Sequence, residues 1–146
     1  MHSEEVYEKR FIIRGGDFAN GGEVSCKIRN LLKEIGISSE IIRRVSIASY
    51  EAEMNVIMYA REGIMNFIIA PERIKIIVED QGPGIEDIEL AMQEGYSTAT
   101  EEMREMGFGA GMGLPNIKKN ADEFKISSVV GQGTKLEITV GMNGKK

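Results

Sequence analysis

The stretch Ile64-Met65-Asn66-Phe67-Ile68-Ile69-Ala70-Pro71-Glu72-Arg73-Ile74-Lys75-Ile76-Ile77-Val78-Glu79-Asp80-Gln81-Gly82-Pro83-Gly84 sets the architecture. Two runs rich in β-branched and aromatic residues, 64–69 and 73–79, flank the breaker Ala70-Pro71-Glu72. Strands joined so closely form a hairpin and pair antiparallel. This excludes a doubly wound parallel sheet, in which every strand is followed by a helix. The second run stops at Asp80-Gln81-Gly82-Pro83-Gly84, a tight turn with an acid at its head.

Outward from this hairpin the remaining elements fall into order. Residues 6–14 read as a strand broken by Gly15-Gly16-Asp17. Over residues 20–34 the apolar positions Val24, Ile28, Leu31, Leu32 and Ile35 make one helical stripe, with Gly36 at the expected C′ site. Ser38 or Ser39 caps a second helix to about Ala60, with the stripe Ile41, Val45, Ala48, Ala52, Val56 and Tyr59. A short helix is expected over 86–94, and another over residues 115–123 with Pro115 at its first position. Strands 124–130 and 134–140 flank Gly131-Gln132-Gly133 and close the chain. The expected fold class is α/β: a two-layer sandwich with a mixed, mostly antiparallel sheet covered on one face by helices.

The 146 residues are expected to form one domain, residues 1–146, able to bury about 70% of its unfolded surface. Hydrophobic residues at 42% and charged residues at 28% exclude a disordered chain. A net charge of −5 points to neither nucleic acid nor an anionic membrane as partner. No run approaches the ~18 apolar residues of a membrane helix, and the polar start Met1-His2-Ser3-Glu4-Glu5 is unlike a secretory signal, so a cytoplasmic location is expected. One cysteine, Cys26, and one histidine, His2, exclude an intramolecular disulfide, a Cys/His zinc cluster and a Ser-His-Asp hydrolase.

Four patterns carry candidate chemistry. Glu51 and Asn55 are one turn apart on the second helix, about 40° apart around its axis, and can present oxygens to water and a divalent cation; an ordinary solvated helix edge has the same look. Asp80 at a strand end can accept from a ligand amine, with glycines that admit a flat ring; a simple turn is the alternative. Gly107-Phe108-Gly109-Ala110-Gly111-Met112-Gly113-Leu114 opens into a helix, and its free N–H groups suit phosphate, though a glycine hinge fits too. It lacks the Gly-Lys-Ser/Thr of a Walker loop. Gly131-Gln132-Gly133-Thr134 reads as a hairpin turn.

In this order and spacing, over about residues 40–140, the patterns resemble the GHKL nucleotide-binding superfamily (the Bergerat fold). A stand-alone domain of this size is similar to the serine kinases of bacterial partner-switching systems. Asp80-Gln-Gly-Pro-Gly-Ile-Glu-Asp-Ile-Glu-Leu-Ala-Met-Gln-Glu-Gly-Tyr-Ser-Thr98 and Gly113-Leu-Pro-Asn-Ile-Lys-Lys are especially similar to the switch kinase of that group. Tyr59-Ala60 also suits that subgroup, whereas the long, charged segment 99–106 suits the anti-sigma subgroup.

The resemblance implies ATP and Mg²⁺ as cofactors and a serine/threonine protein kinase as the activity. It implies Glu51 as general base and Asn55 as the Mg²⁺ ligand bridging the phosphates. Asp80 would accept from the adenine amine, Gly82 and Gly84 would shape its pocket, and Thr134 would support Asp80, by way of water. Gly109, Gly111 and Gly113 would line the triphosphate, with Ser97, Thr98 and Leu114 in the nucleotide-binding set. Residues 95–108 would form a mobile lid whose Arg104 reaches the γ-phosphate. The implied partners are a STAS-domain antagonist as substrate and a sigma factor or regulatory phosphatase, with a homodimer left open. The rival reading is a non-catalytic, ATP-gated binding module that sequesters a sigma factor or phosphatase.

Overall fold

The computed structural model describes residues 6–97, 99–101 and 113–142. Five strands, β1 (Tyr7–Arg14), β2 (Glu62–Ile69), β3 (Arg73–Gln81), β4 (Glu123–Val129) and β5 (Gly133–Gly141), form one sheet in the order β1-β2-β3-β5-β4. Its helices are α1 (Glu23–Glu34), α2 (Ser39–Tyr59), α3 (Ile88–Ala91) and α4 (Gly113–Asn120).

All four ladders are antiparallel, which bears out the mostly antiparallel sheet expected, while its mixed part has no parallel ladder among the described residues. The parallel relation survives between strands that do not touch. β3 and β4 run the same way, joined by a crossover that includes α4, and β5 turns back between them to pair with both. The hairpin read from residues 64–79 pairs Ile69 with Ile74 and Met65 with Val78.

Alternation sends one side of each strand to the helices. Phe11 and Ile13, Met65 and Phe67, Ile74, Ile76 and Val78, and Leu136, Ile138 and Val140 are buried on that side. Val45, Ala48, Ala52 and Val56 of α2 answer them, with Ile28 and Leu32 of α1 and Leu114 and Ile117 of α4. The small residues Ala48 and Ala52 leave room for α1 and α4 beside the central helix.

The helix ends follow local chemistry. Ser38, not Ser39, is the N-cap of α2, its hydroxyl accepting from Ile41 N–H at 3.4 Å. The α1 helix begins at Glu23 rather than at residue 20, because Phe18–Asn20 form a separate 3₁₀ turn before Gly21-Gly22. The helix expected over 86–94 shrinks to Ile88–Ala91. Asp87 caps Leu90 N–H there, but none of its residues is buried, so packing does not extend it. The α4 helix covers Gly113–Asn120, so Pro115 is not its first residue and Glu123 belongs to β4. Beyond the helix, Asp122 is held by Gly141 N–H at 2.6 Å and by Arg44 at 3.0 Å.

Candidate active site

The C-terminal half of α2 organises the site. Glu51 and Asn55 are half-buried and one turn apart on it, as the sequence spacing implies. The Asn55 side chain makes no hydrogen bond among the described residues, so its amide oxygen is free to ligate. Glu51 Oε2 accepts from Asn116 Nδ2 on α4 at 3.0 Å. Glu51 Oε1 lies 3.5 Å from where a Cβ on Gly113 would stand, so the carboxylate faces the first described turn of α4.

Further along α2, Gly63 of β2 presses against Val56, and a Cβ there would also stand 3.4 Å from Asp80 Cβ. Gly82 lies against Ala60, its Cβ position 3.1 Å from Ala60 Cα and 3.2 Å from Asp80 Oδ1. Asp80 therefore sits beneath the end of α2. Glu51 lies two turns, about 12 Å along the axis, before Tyr59 at the end of α2, and Ala60 is the C-cap.

Asp80 Oδ1 accepts from Thr134 N–H at 3.1 Å. Oδ2 has no hydrogen bond among the described residues. Burial pushes the Asp80 carboxyl above the usual carboxylate range, and the Thr134 N–H partly offsets this. Gly133 makes the approach of β5 feasible: its φ is +156° and a Cβ would stand 2.0 Å from Asp80 O. The support expected from Thr134 thus comes directly from its backbone. Its hydroxyl, on a residue 7% exposed, lies 2.8 Å from Ser128 Oγ. Ser128 Oγ also donates to Gly133 O at 3.1 Å and accepts from Ile85 N–H at 2.8 Å. With its own proton committed to Gly133, Ser128 can only accept from Thr134.

Gly84, at φ +79°, packs against the β4–β5 turn, where a Cβ would meet Val129 O at 2.5 Å. Its role in the fold is to let that turn close over the loop after β3, and Gly131 N–H bonds Pro83 O at 2.8 Å beside it. Ser97 lies within 3.4 Å of Tyr59 Oη, one turn beyond Asn55 on α2. Leu114 is buried in the core and holds α4 in place. Thr98, Arg104, Gly109 and Gly111, and with them most of the expected lid, lie outside the described residues.

Three residues to which the sequence assigns no role shape this region. Asn116 reaches Glu51 across 65 positions. Ser128 ties the loop after β3 to the last hairpin. Glu53, 1% exposed, accepts from Gly22 and Val24 N–H at 3.1 Å each and from Ser25 N–H at 3.0 Å, anchoring α1 to α2. A glutamate one place past the apolar Ala52 carries no local signal of burial.

The residues fit a nucleotide with a metal. One carboxylate oxygen of Asp80, Oδ2, is available to an amine, and Gly82 places no side chain against the carboxylate at Oδ1. Among the described residues no group of three or more His, Cys, Asp or Glu converges as a metal cluster. Asn55 as a lone protein oxygen matches Mg²⁺, which keeps its waters and is commonly held through substrate phosphates.

Fold and site together define a nucleotide-binding α/β domain, and over residues 19–140 the chain matches the family described as histidine kinase-like ATPase domain, so it belongs to that family. Among similar proteins is the serine/threonine-protein kinase RsbT of Bacillus subtilis (strain 168), 38% identical over 113 residues, which cover 75% of this chain and 79% of that protein. The anti-sigma F factor of Caldanaerobacter subterraneus subsp. tengcongensis is 37% identical over 111 residues, 71% of this chain and 74% of its own. That of Clostridium acetobutylicum is 31% identical over 114 residues, 75% and 76% of the two chains. Among the described residues no helix is long and apolar enough to cross a membrane.

Proposed function

We propose that this chain, an ATP-dependent serine/threonine protein kinase of the partner-switching kind, transfers phosphate with Glu51 as general base, Asn55 as Mg²⁺ ligand and Asp80 as the adenine anchor. The supporting observation is the placement of two unlike sites along the C-terminal half of one helix, Glu51 and Asn55 on α2 itself and Asp80 beside the glycines that pack on Val56 and Ala60. At one end a carboxylate oxygen is free beside a glycine cradle. At the other a carboxylate faces the opening turn of α4, with an unpaired amide one turn from it. A nucleoside triphosphate is long enough to engage both. The similarity to RsbT, named a serine/threonine-protein kinase, supports the same reading.

ATP supplies the phosphoryl group and Mg²⁺ offsets its negative charge. The protein's own part is positioning and proton movement. Asp80 Oδ2 accepts from the adenine amine. Asn55 Oδ1 holds the metal, and Gly113 belongs to the wall along the phosphates. Glu51 Oε1 takes the proton from the acceptor hydroxyl as it attacks. The substrate is the serine of a STAS-domain antagonist, and the second partner is a sigma factor or a regulatory phosphatase. Retention of a carboxylate at Glu51 favours transfer over binding alone, since nucleotide capture needs no base.

The test compares Glu51→Gln with Asn55→Ala. Glu51→Gln keeps the shape and should leave ATP binding near the parent value while slowing transfer to a purified STAS-domain protein by ~10²–10⁴-fold. Asn55→Ala should weaken Mg-ATP binding and abolish transfer together. Parent-rate transfer by Glu51→Gln would remove Glu51 from the chemistry. A parent protein that binds ATP and its partner but never transfers phosphate would leave the binding-module reading standing.

A further inference from the structure

We infer that Asn116 is a positioning residue that holds the Glu51 carboxylate in its working orientation, an inference that rests on Glu51 being the base. The geometry is specific. Asn116 Nδ2 and Glu51 Oε2 are 3.0 Å apart, and both side chains are half-buried. Only the amide nitrogen can face a carboxylate, because the amide oxygen would repel it. The bond commits Oε2 as an acceptor, so the lone pairs left to receive a proton are chiefly those of Oε1. That oxygen is the one nearest Gly113. Asn116 therefore selects which oxygen of Glu51 is free and points it at the first described turn of α4.

The frame around this bond is stiff. Leu114 and Ile117, on either side of Asn116, are buried. Asn120 Nδ2 donates to Asn116 O at 2.8 Å, within α4. Two turns before Glu51 on α2, Arg44 Nε donates to Asn120 O at 3.1 Å and its guanidinium pairs with Asp122. The α4 helix is thus pinned to α2 at two points, by Arg44 at its C-terminal end and by Asn116 at its middle. The Arg44 contact fixes the helix, whereas the Asn116 contact falls on the base itself. A free glutamate would sample several rotamers, and one hydrogen bond to a charged oxygen is strong enough to choose among them.

A double-mutant cycle separates orientation from packing. Asn116→Ala should lower the rate of phosphoryl transfer from radiolabelled ATP to a purified STAS-domain protein by roughly ten- to a hundredfold, with nucleotide affinity unchanged. Asn116→Asp, nearly the same shape but without a donor, should be slower still because it sets a second carboxylate against Glu51. In the Glu51→Gln background Asn116→Ala should cost little more. An independent readout uses the nucleotide-free protein. The side-chain amide protons of Asn116, followed by nuclear magnetic resonance, should move when Glu51 is changed to Ala. Equal fold losses in both backgrounds, parent-rate transfer by Asn116→Asp, or unmoved amide protons would each overturn the inference. If Glu51→Gln is slow while Asn116→Ala matches the parent, the positioning role alone falls. If Glu51→Gln itself matches the parent, the base assignment falls and takes this inference with it.

Discussion

Replacing Asp80 by Asn tests the adenine end of the site, and the structure dictates which way the new amide faces. Asp80 Oδ1 accepts from Thr134 N–H at 3.1 Å. In Asp80→Asn the amide oxygen takes that place, since the NH₂ group cannot accept. The NH₂ group is then left at the position of Oδ2, and a donor meets the ligand amine where an acceptor stood. One hydrogen bond is lost and a donor–donor mismatch is created in a half-buried site, worth about 1–3 kcal/mol, or about 5- to 150-fold in ATP affinity. Protonation acts in the same direction. With Oδ1 facing an N–H group, the proton of a neutral Asp80 goes to Oδ2 and again presents a donor. Because burial raises the Asp80 carboxyl above the usual carboxylate range, ATP affinity of the parent should fall as pH drops through that elevated value, and Asp80→Asn should remove this dependence. The fold should not suffer at neutral pH. A carboxyl whose folded value is raised opposes folding when charged, so a neutral Asn leaves the melting temperature equal or higher. Titration calorimetry with ATP at several pH values, beside thermal melts, supplies all three readings. A folded Asp80→Asn variant with the parent's ATP affinity would refute the placement of adenine at Asp80.

Two further outcomes concern stability. Glu53→Gln sets an NH₂ group against at least one of the three N–H donors at the start of α1, at a cost of about 2 kcal/mol, or a fall of about 4–8 °C in melting temperature for a chain of this size; an unchanged melt by circular dichroism would show that Glu53 does not anchor α1. Asp122 is held below the usual carboxylate range first by Gly141 N–H and then by Arg44, so its contribution is present above the unfolded value of about 3.9 and is lost as pH falls through the lower folded value. Asp122→Asn should therefore flatten the acid limb of stability against pH, and an identical acid limb in parent and variant would count against that linkage.

The elements were legible because their signals are local. The hairpin around Pro71, the stripe from Ile41 to Val56, a serine cap at Ser38 or Ser39 and the alternation of Thr134, Leu136, Ile138 and Val140 depend on residues within a turn or two of one another, where side-chain period and capping operate. The spacing of Glu51 and Asn55 and the turn after Asp80 were visible on the same ground. Where local signals were weak the reading drifted. The helix over 86–94 shortened for want of a buried face, and Pro115 proved not to be the first residue of α4.

Long-range arrangement came from the tertiary structure alone. Insertion of β5 between β3 and β4 is a pairing choice made by register and packing, and it is what carries Gly133 and the Thr134 N–H to Asp80 across 54 positions. The same holds for Asn116 on Glu51 and for Glu53 on the start of α1. Asn116 falls within the quoted stretch from Gly113 to Lys119, but nothing there or around Ser128 points to a partner, because a hydrogen bond between distant segments leaves no periodic trace. Its residues are ordinary polar ones until packing brings their partners within 3 Å. The sequence by itself determined which segments are strands and helices and where candidate acids and glycines stand. The fold alone decided which oxygen of each acid is engaged and which is free, since that depends on donors supplied by segments far away along the chain.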